Sequence, residues 1–184
     1  MLKEPRPGRV KTRLARDIGA TEAAWWYRHQ VTRLLRKLND SRWDIVLSVA
    51  PDRAVESPAW PIFLPRMPQG GGDLGARMTR ALAAVDGPCV LIGSDIPGVT
   101  RQIIAKAFSE LGSARSVVGP AEDGGFWLIG LSHSRFATAE LFKDVTWSHN
   151  DTLAETIPTL PRPVAIVDTL RDVDTVADLQ RTGD

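Results

Sequence analysis

The stretch EPRPGRVKTRLA, residues 4–15, sets Lys11 and Arg13 behind Pro5, Pro7 and Gly8. The prolines fix φ and stiffen the loop, the glycine permits close backbone approach, and the ammonium and guanidinium groups supply donors suited to phosphate oxygens. That inventory suits a polyphosphate pocket, and it equally suits an exposed basic turn leading into a helix. A Walker A loop is excluded, because its Lys-Thr pair needs a glycine directly before it and Val10 stands there.

Carboxylates supply the complementary chemistry. Asp95, in GSDIPG, comes just after an apolar run and just before a proline and a glycine that hold the loop tight. A carboxylate at such a strand end can hold Mg²⁺, which takes oxygen ligands and bridges to substrate phosphates. Ser94 beside it joins the candidate phosphate contacts. The alternative is a turn or capping aspartate ahead of a helix at Thr100. Near the C-terminus, RDVDTVADL offers Asp172, Asp174 and Asp178. Asp174 or Thr175 would cap a last helix and Asp178 would face solvent within it. Asp172, before that helix, is then the best candidate for a second metal ligand from a different strand.

Two glycine-rich loops follow the same logic. In MPQGGGDLGARM, Gly71, Gly72 and Gly75 surround the start of a helix whose N-terminal amides favour anions, so Gly71 and Gly72 are candidate phosphate contacts; a flexible surface loop is the alternative. In GPAEDGGFWLIGL, Asp123, Gly124 and Gly125 would let backbone amides touch a ligand, or would make an ordinary tight turn. Trp147, in the loop VTWSHND, is the tryptophan considered for ligand contact, whereas Trp25, Trp26, Trp43 and Trp127 fall in helix or strand patterns and read as packing. His149 could act as an acid or base, with a solvent-facing role as its alternative; His29 and His133 show no partner. Cys89 heads an apolar run and reads as a small hydrophobe.

These residues need a scaffold, and hydrophobic periodicity supplies one. TEAAWWYRHQVTRLLRKLND spaces its apolar residues as a helix with Thr21 as N-cap; DLGARMTRALAAV and TRQIIAKAFSEL do the same. WDIVLSVAP, PCVLIGSD and RSVVGP are short, nearly continuous apolar runs, as expected of strands covered on both faces, and FWLIGLS and PVAIVDT read as further strands. RFATAELFKDV and NDTLAETI look helical, and a final helix is expected near DTVADLQ. Alternating strand and helix is the pattern of a parallel α/β sheet, which binds ligands beyond the carboxyl ends of its strands, where the loops above lie.

The chain's 184 residues, 43% of them hydrophobic, suit one compact domain spanning 1–184. Lys+Arg 23 against Asp+Glu 22 leave no general excess charge for nucleic acid or an anionic membrane, so any basic patch must be a local device. No apolar run approaches the length of a membrane span, a lone cysteine gives no internal disulfide, and no signal peptide opens the chain, so a soluble cytoplasmic protein is expected.

Taken in order, PRPGRVKTRLA, QGGGDLGARM, LIGSDIPG, GPAEDGGFWLIGL, LFKDVTWSHNDTL and RDVDTVADL resemble the DUF2064 family of uncharacterised bacterial glycosyltransferase-like proteins, over nearly the whole chain. That family is similar to molybdenum-cofactor and phospholactate guanylyltransferases. The resemblance implies a three-layer α/β/α sandwich with a mostly parallel mixed sheet, of the GT-A, nucleotide-diphospho-sugar transferase type. It implies a nucleotide site with Lys11 and Arg13 on phosphates, a divalent metal, Mg²⁺ or Mn²⁺, held by Asp95 with Asp172 or Asp174, and Asp123, Gly124 and Gly125 facing the acceptor or sugar. Three departures stand out. Only Met1 and Leu2 precede Lys3 where the family has a full strand, so a short first strand, or a true start upstream of Met1, is expected. Phe126 replaces a tyrosine and His149 a threonine.

The expected function is that of a metal-dependent transferase acting on a nucleotide sugar or nucleoside triphosphate, with a small-molecule acceptor. The alternatives are a nucleotidyltransferase releasing pyrophosphate and a catalytically idle nucleotide-binding module. Exposed aromatics would suit a homodimer surface.

Overall fold

A computed structural model describes residues 1–171 together with Val173. Asp172 and Asp174, with Thr175, Asp178 and the expected final helix, lie outside the described residues. The described residues divide into two compact units, one built on Met1–Gly70 with Ser94–Gly98 and Val173, the other on Gly71–Gly93 and Val99–Arg171.

The first unit opens on strand β1 (Leu2–Lys3), followed by helices α1 (Leu14–Ile18) and α2 (Ala20–Leu38) and strands β2 (Leu47–Ala50) and β3 (Arg66–Pro68). β1, β2 and β3 form a parallel sheet in that order, with Leu2 opposite Val49 and Val49 opposite Pro68. The short first strand expected from the sequence is thus present and paired. β2 is shorter than its apolar run, and β3 ends on a proline, which an edge position tolerates because no ladder donor is lost there. One stripe of α2, including Ala24, Tyr27 and Val31, packs with Leu2, Leu47, Val49 and Trp60 in one core cluster. Gly19, not Thr21, is the residue at the N-cap of α2, and no side chain caps it.

The second unit contains α3 (Leu74–Ala83), β4 (Cys89–Ile92), α4 (Arg101–Glu110), β5 (Ser116–Pro120), β6 (Phe126–Leu131), α5 (Thr152–Thr156) and β7 (Val164–Ile166). Asp73 and Thr100 cap α3 and α4 by accepting from Ala76 N–H and Ile103 N–H. The sheet order is β4-β6-β5-β7; β6 runs antiparallel to both its neighbours, while β7 is parallel to β5. β5 and β6 are buried almost throughout, as their continuous apolar runs predict, whereas β4 is half-buried.

RFATAELFKDV is not a helix. Ser134–Phe136 makes one short 3-10 turn, and Phe142 and Asp144 adopt φ of 65° and 59°, a left-handed conformation that ends any helical course. Leu141, Phe142 and Val145 are buried, so the apolar spacing reflects an irregular segment pinned to a core. No helix of the described residues is long and apolar enough to cross a membrane.

Candidate functional site

The basic loop is shaped by its own sequence. Arg9 N–H donates to Arg6 C=O across Pro7 and Gly8, and Gly8 has φ of 73°. Proline then glycine with positive φ is the signature of a type II turn. Beyond it Val10 and Leu14 are buried and fix the loop at both ends of Lys11, which itself has φ of 47°. Arg13 opens α1 and is exposed.

That anchoring directs Lys11 inward. Its side chain is 3% exposed, against 37% for Asp95, and its ammonium lies 2.8 Å from Asp95 Oδ2. It also donates to Val173 C=O at 2.6 Å, while Val173 N–H donates to Asp95 C=O at 3.1 Å. The residue between Asp172 and Asp174 is therefore tied by its main chain to Lys11 and Asp95.

The other carboxylate oxygen is held from α2. Ser94 Oγ donates to Asp95 Oδ1 at 2.8 Å and lies 2.9 Å from the Tyr27 hydroxyl. Since the serine has given its single proton to Asp95, the tyrosine must be the donor to Ser94. The Tyr27 oxygen in turn accepts from Lys3 N–H at 3.0 Å. Burial, and then the Asp95 charge, push the Tyr27 pKa up to about 12, so the phenol stays protonated and the relay keeps its direction.

A carboxylate offers about four lone-pair directions. Ser94 and Lys11 use one each, and the exposed part of Asp95 leaves room for another partner. Among the described residues no cluster of three or more His, Cys, Asp or Glu gathers to enclose a metal. A single carboxylate fits Mg²⁺ or Mn²⁺ in the manner of sites that complete their coordination with substrate phosphates and water.

In the second unit, Asp123 accepts from Gly125 N–H at 2.9 Å, closing a turn between β5 and β6. Gly124 has φ of 87°, and a Cβ there would lie 2.0 Å from Asn150 O. Leu153 N–H donates to Gly124 C=O, so the turn is sewn to α5 and, through Asn150, to the segment leading into it. Trp147 belongs to that segment and packs with Phe126 and Phe142 at ring distances of 6.4 and 5.8 Å. A Cβ on Gly75 would meet the Trp147 ring at 2.9 Å, so the glycine of α3 admits this cluster. His149 is exposed, 3.4 Å from Asp151 Oδ2. The carbonyls of Gly71 and Gly72 accept from Arg80 and Arg77 of the same unit.

The structure therefore brings together Lys11, Ser94 and Asp95, and separately Asp123, Gly124 and Gly125 with the Trp147 segment. Sequence reasoning missed Tyr27 and the main chain of Val173. Tyr27 is the only tyrosine of the chain and falls on the buried stripe of α2, but nothing in the sequence pairs it with Ser94.

The model of the family described as "Uncharacterized protein conserved in bacteria (DUF2064)" matches residues 33–149. The chain belongs to the DUF2064 family. No curated protein matches it. A "putative nucleotide-diphospho-sugar transferase" from Desulfovibrio desulfuricans G20 is 31% identical, with a TM-score of 0.85 over 98% of this chain and 83% of that one. Rv0371c of Mycobacterium tuberculosis H37Rv, solved as a complex with manganese, is 19% identical, with a TM-score of 0.51 over 97% and 93%. The 4-diphosphocytidyl-2C-methyl-D-erythritol synthase of Anaerococcus prevotii DSM 20548 is 9% identical, with a TM-score of 0.57 over 84% and 83%. The fold of the DUF2064 chain is that of the nucleotide-diphospho-sugar transferases, mixed α/β with parallel-rich sheets of GT-A type.

Proposed function

We propose that this DUF2064 protein is a metal-dependent transferase that uses a nucleotide sugar or nucleoside triphosphate as donor, with residues 1–184 acting as one transferase domain in the cytoplasm. The observation that carries the reading is Asp95, half-open to solvent, with one oxygen fixed by Ser94 and the other by the buried Lys11 ammonium. The likeness to a nucleotide-diphospho-sugar transferase at 31% identity supports the donor class, and the manganese complex of the M. tuberculosis protein supports the metal.

In this reading Asp95 holds Mg²⁺ or Mn²⁺ with Asp172 or Asp174, and Ser94 aims the carboxylate. When bound, the metal supplies charge neutralisation for the donor's phosphates. Lys11 and Arg13 share that load from the protein side, with the Pro7–Gly8 turn setting their loop; Gly71 and Gly72 offer further backbone contacts to phosphate. Asp123, Gly124, Gly125 and Trp147 face the sugar or acceptor. Positioning and electrostatics suffice, and no covalent protein intermediate is needed.

Nucleotidyl transfer is the second reading, favoured by the cytidyl-type synthase among the structural neighbours. The two differ in products, since only nucleotidyl transfer from a triphosphate releases pyrophosphate. Thermal unfolding with a panel of nucleoside triphosphates and nucleotide sugars, in Mg²⁺, Mn²⁺ or EDTA, tests the reading, because a ligand bound only by the folded state raises the midpoint. A metal-dependent rise for one donor class is expected, with pyrophosphate release deciding between the transfers. No rise with any donor would overturn it.

A further inference from the structure

Lys11 carries its charge into the protein. Its side chain is 3% exposed, and its ammonium meets Asp95 Oδ2 at 2.8 Å and Val173 C=O at 2.6 Å, both within the first unit. A lysine that served only to draw phosphate from solution would keep its ammonium in water at the end of its flexible stem. Here the backbone accommodates the burial instead. Lys11 holds φ of 47°, a left-handed conformation that costs any residue with a Cβ, while Ala15 N–H donates to its carbonyl and the buried Val10 and Leu14 pin the loop on either side. Strain of this kind gathers at ligand clamps and switch segments.

Asp95 is engaged on both oxygens. Oδ1 accepts from Ser94 Oγ at 2.8 Å and Oδ2 takes the ammonium. Ser94 is 6% exposed and backed by the Tyr27 hydroxyl at 2.9 Å, so the carboxylate cannot turn Oδ2 away from Lys11 without breaking the Ser94 bond. Water reaches 37% of the Asp95 side chain, and a divalent cation arriving there meets an oxygen already paired with a positive charge. Like charges on one carboxylate repel. The same pair withholds the ammonium from phosphate.

We propose that Lys11 is an internal counterion that competes with the divalent metal for Asp95 and thereby makes metal and donor bind cooperatively. The donor's phosphates draw the ammonium off Oδ2, and the oxygen it leaves takes the metal. The proposal rests on the reading of Asp95 as the metal's carboxylate, and adds that each ligand alone binds weakly. The coupling is reciprocal: by whatever factor phosphate raises the affinity for metal, metal raises the affinity for phosphate. A lysine that bound phosphate without competing for Asp95 would leave the affinity for metal alone unchanged when removed.

Two titrations of the full chain test it, Mn²⁺ alone followed by electron paramagnetic resonance and inorganic triphosphate alone, in EDTA, followed by calorimetry. Lys11→Met should bind Mn²⁺ at least about tenfold more tightly than the wild type without any nucleotide. Asp95→Asn should bind metal-free triphosphate at least about fivefold more tightly, because its ammonium is released. The double variant Lys11→Met/Asp95→Asn should lose both gains, as a coupled pair requires. Arg9→Gln, which removes an exposed cation of the same loop, should change the Mn²⁺ affinity by less than about twofold, which separates contact from net charge. Lys11→Gln, with an uncharged donor in place of the ammonium, repeats the Mn²⁺ titration if the Met variant does not fold. Mn²⁺ binding by the Lys11 variants no tighter than by the wild type, or a gain that survives Asp95→Asn, would overturn the proposal. The transferase reading would still stand in that case if the wild type binds Mn²⁺ in the presence of a nucleoside triphosphate or nucleotide sugar. Mn²⁺ bound under no condition would overturn both.

Discussion

Replacing Gly124 by alanine separates two roles that a glycine can play. Its φ of 87° strains any residue with a Cβ, and the new Cβ would stand 2.0 Å from Asn150 O and 2.6 Å from its carbonyl carbon. Gly8 has a comparable φ of 73° but nothing within 4 Å of the Cβ position. The left-handed conformation costs roughly 1–2 kcal/mol at either site. At Gly124 the Asn150 backbone must also retreat, which breaks the Leu153 N–H bond to Gly124 C=O and adds at least about 1 kcal/mol. Gly124→Ala should therefore lose roughly 3 kcal/mol and Gly8→Ala about half of that. For a chain of this size these losses correspond to roughly 6–12 °C and 3–6 °C. Urea and thermal unfolding followed by tryptophan fluorescence would measure both. If Gly124→Ala were no less stable than Gly8→Ala, the close seam between the DGG turn and Asn150 would be wrong.

Tyr27→Phe keeps the buried ring but removes the hydroxyl between Lys3 N–H and Ser94, and should cost about 2 kcal/mol at neutral pH, read from urea midpoints. Because the folded pKa of Tyr27 is raised to about 12 from 10, the unfolded chain ionises first. The wild type should then lose about 2 kcal/mol relative to Tyr27→Phe as pH rises from 10 to 12, and the gap should close; a gap constant across that range would contradict the buried phenol. Burial pushes the Cys89 thiol up to about 11 from 9, so at pH 8 the native protein should react with a disulfide reagent on the order of 100-fold more slowly than the urea-unfolded chain. Similar rates would show that the thiol is not held in apolar surroundings.

The scaffold was legible where one force dominates. α2, α3 and α4 were readable because each buries one stripe; that Asp73 and Thr100 cap the last two came from the structure. β5 and β6 were readable because burial on both faces leaves a continuous apolar run. Failures came where tertiary contact overrides local pattern. RFATAELFKDV carries helical spacing, yet Phe142 and Leu141 are buried by an irregular segment with left-handed residues. β3, with Arg, Met and Pro, has no apolar run at all and exists because β2 offers it a partner.

The same division holds at the site. Lys11, Ser94 and Asp95 could be named from loop chemistry, because cations behind a Pro-Gly turn and a carboxylate after an apolar run carry their own signals. Their mutual geometry could not be read. That Lys11 is buried against Asp95, and that Tyr27 stands behind Ser94, depends on which loops meet, which one-dimensional spacing does not encode. Gly124 was expected to free backbone amides for a ligand; the structure adds a packing demand, the Asn150 backbone, that local sequence gives no sign of.

The most direct test of the account is Mn²⁺ binding by the wild type and by Asp95→Asn, measured by electron paramagnetic resonance with and without the nucleotide donor selected by thermal unfolding. Asparagine keeps the size of the side chain and an oxygen for Ser94 but removes the charge. If Asp95 is the metal ligand between the donor's phosphates and the Lys11 loop, the wild type should bind Mn²⁺ more tightly with donor present, and Asp95→Asn should lose at least about tenfold of that affinity while remaining folded. Equal Mn²⁺ binding by the folded variant would mean that Asp95 serves only as the partner of Lys11, and the metal half of the proposed function would fall.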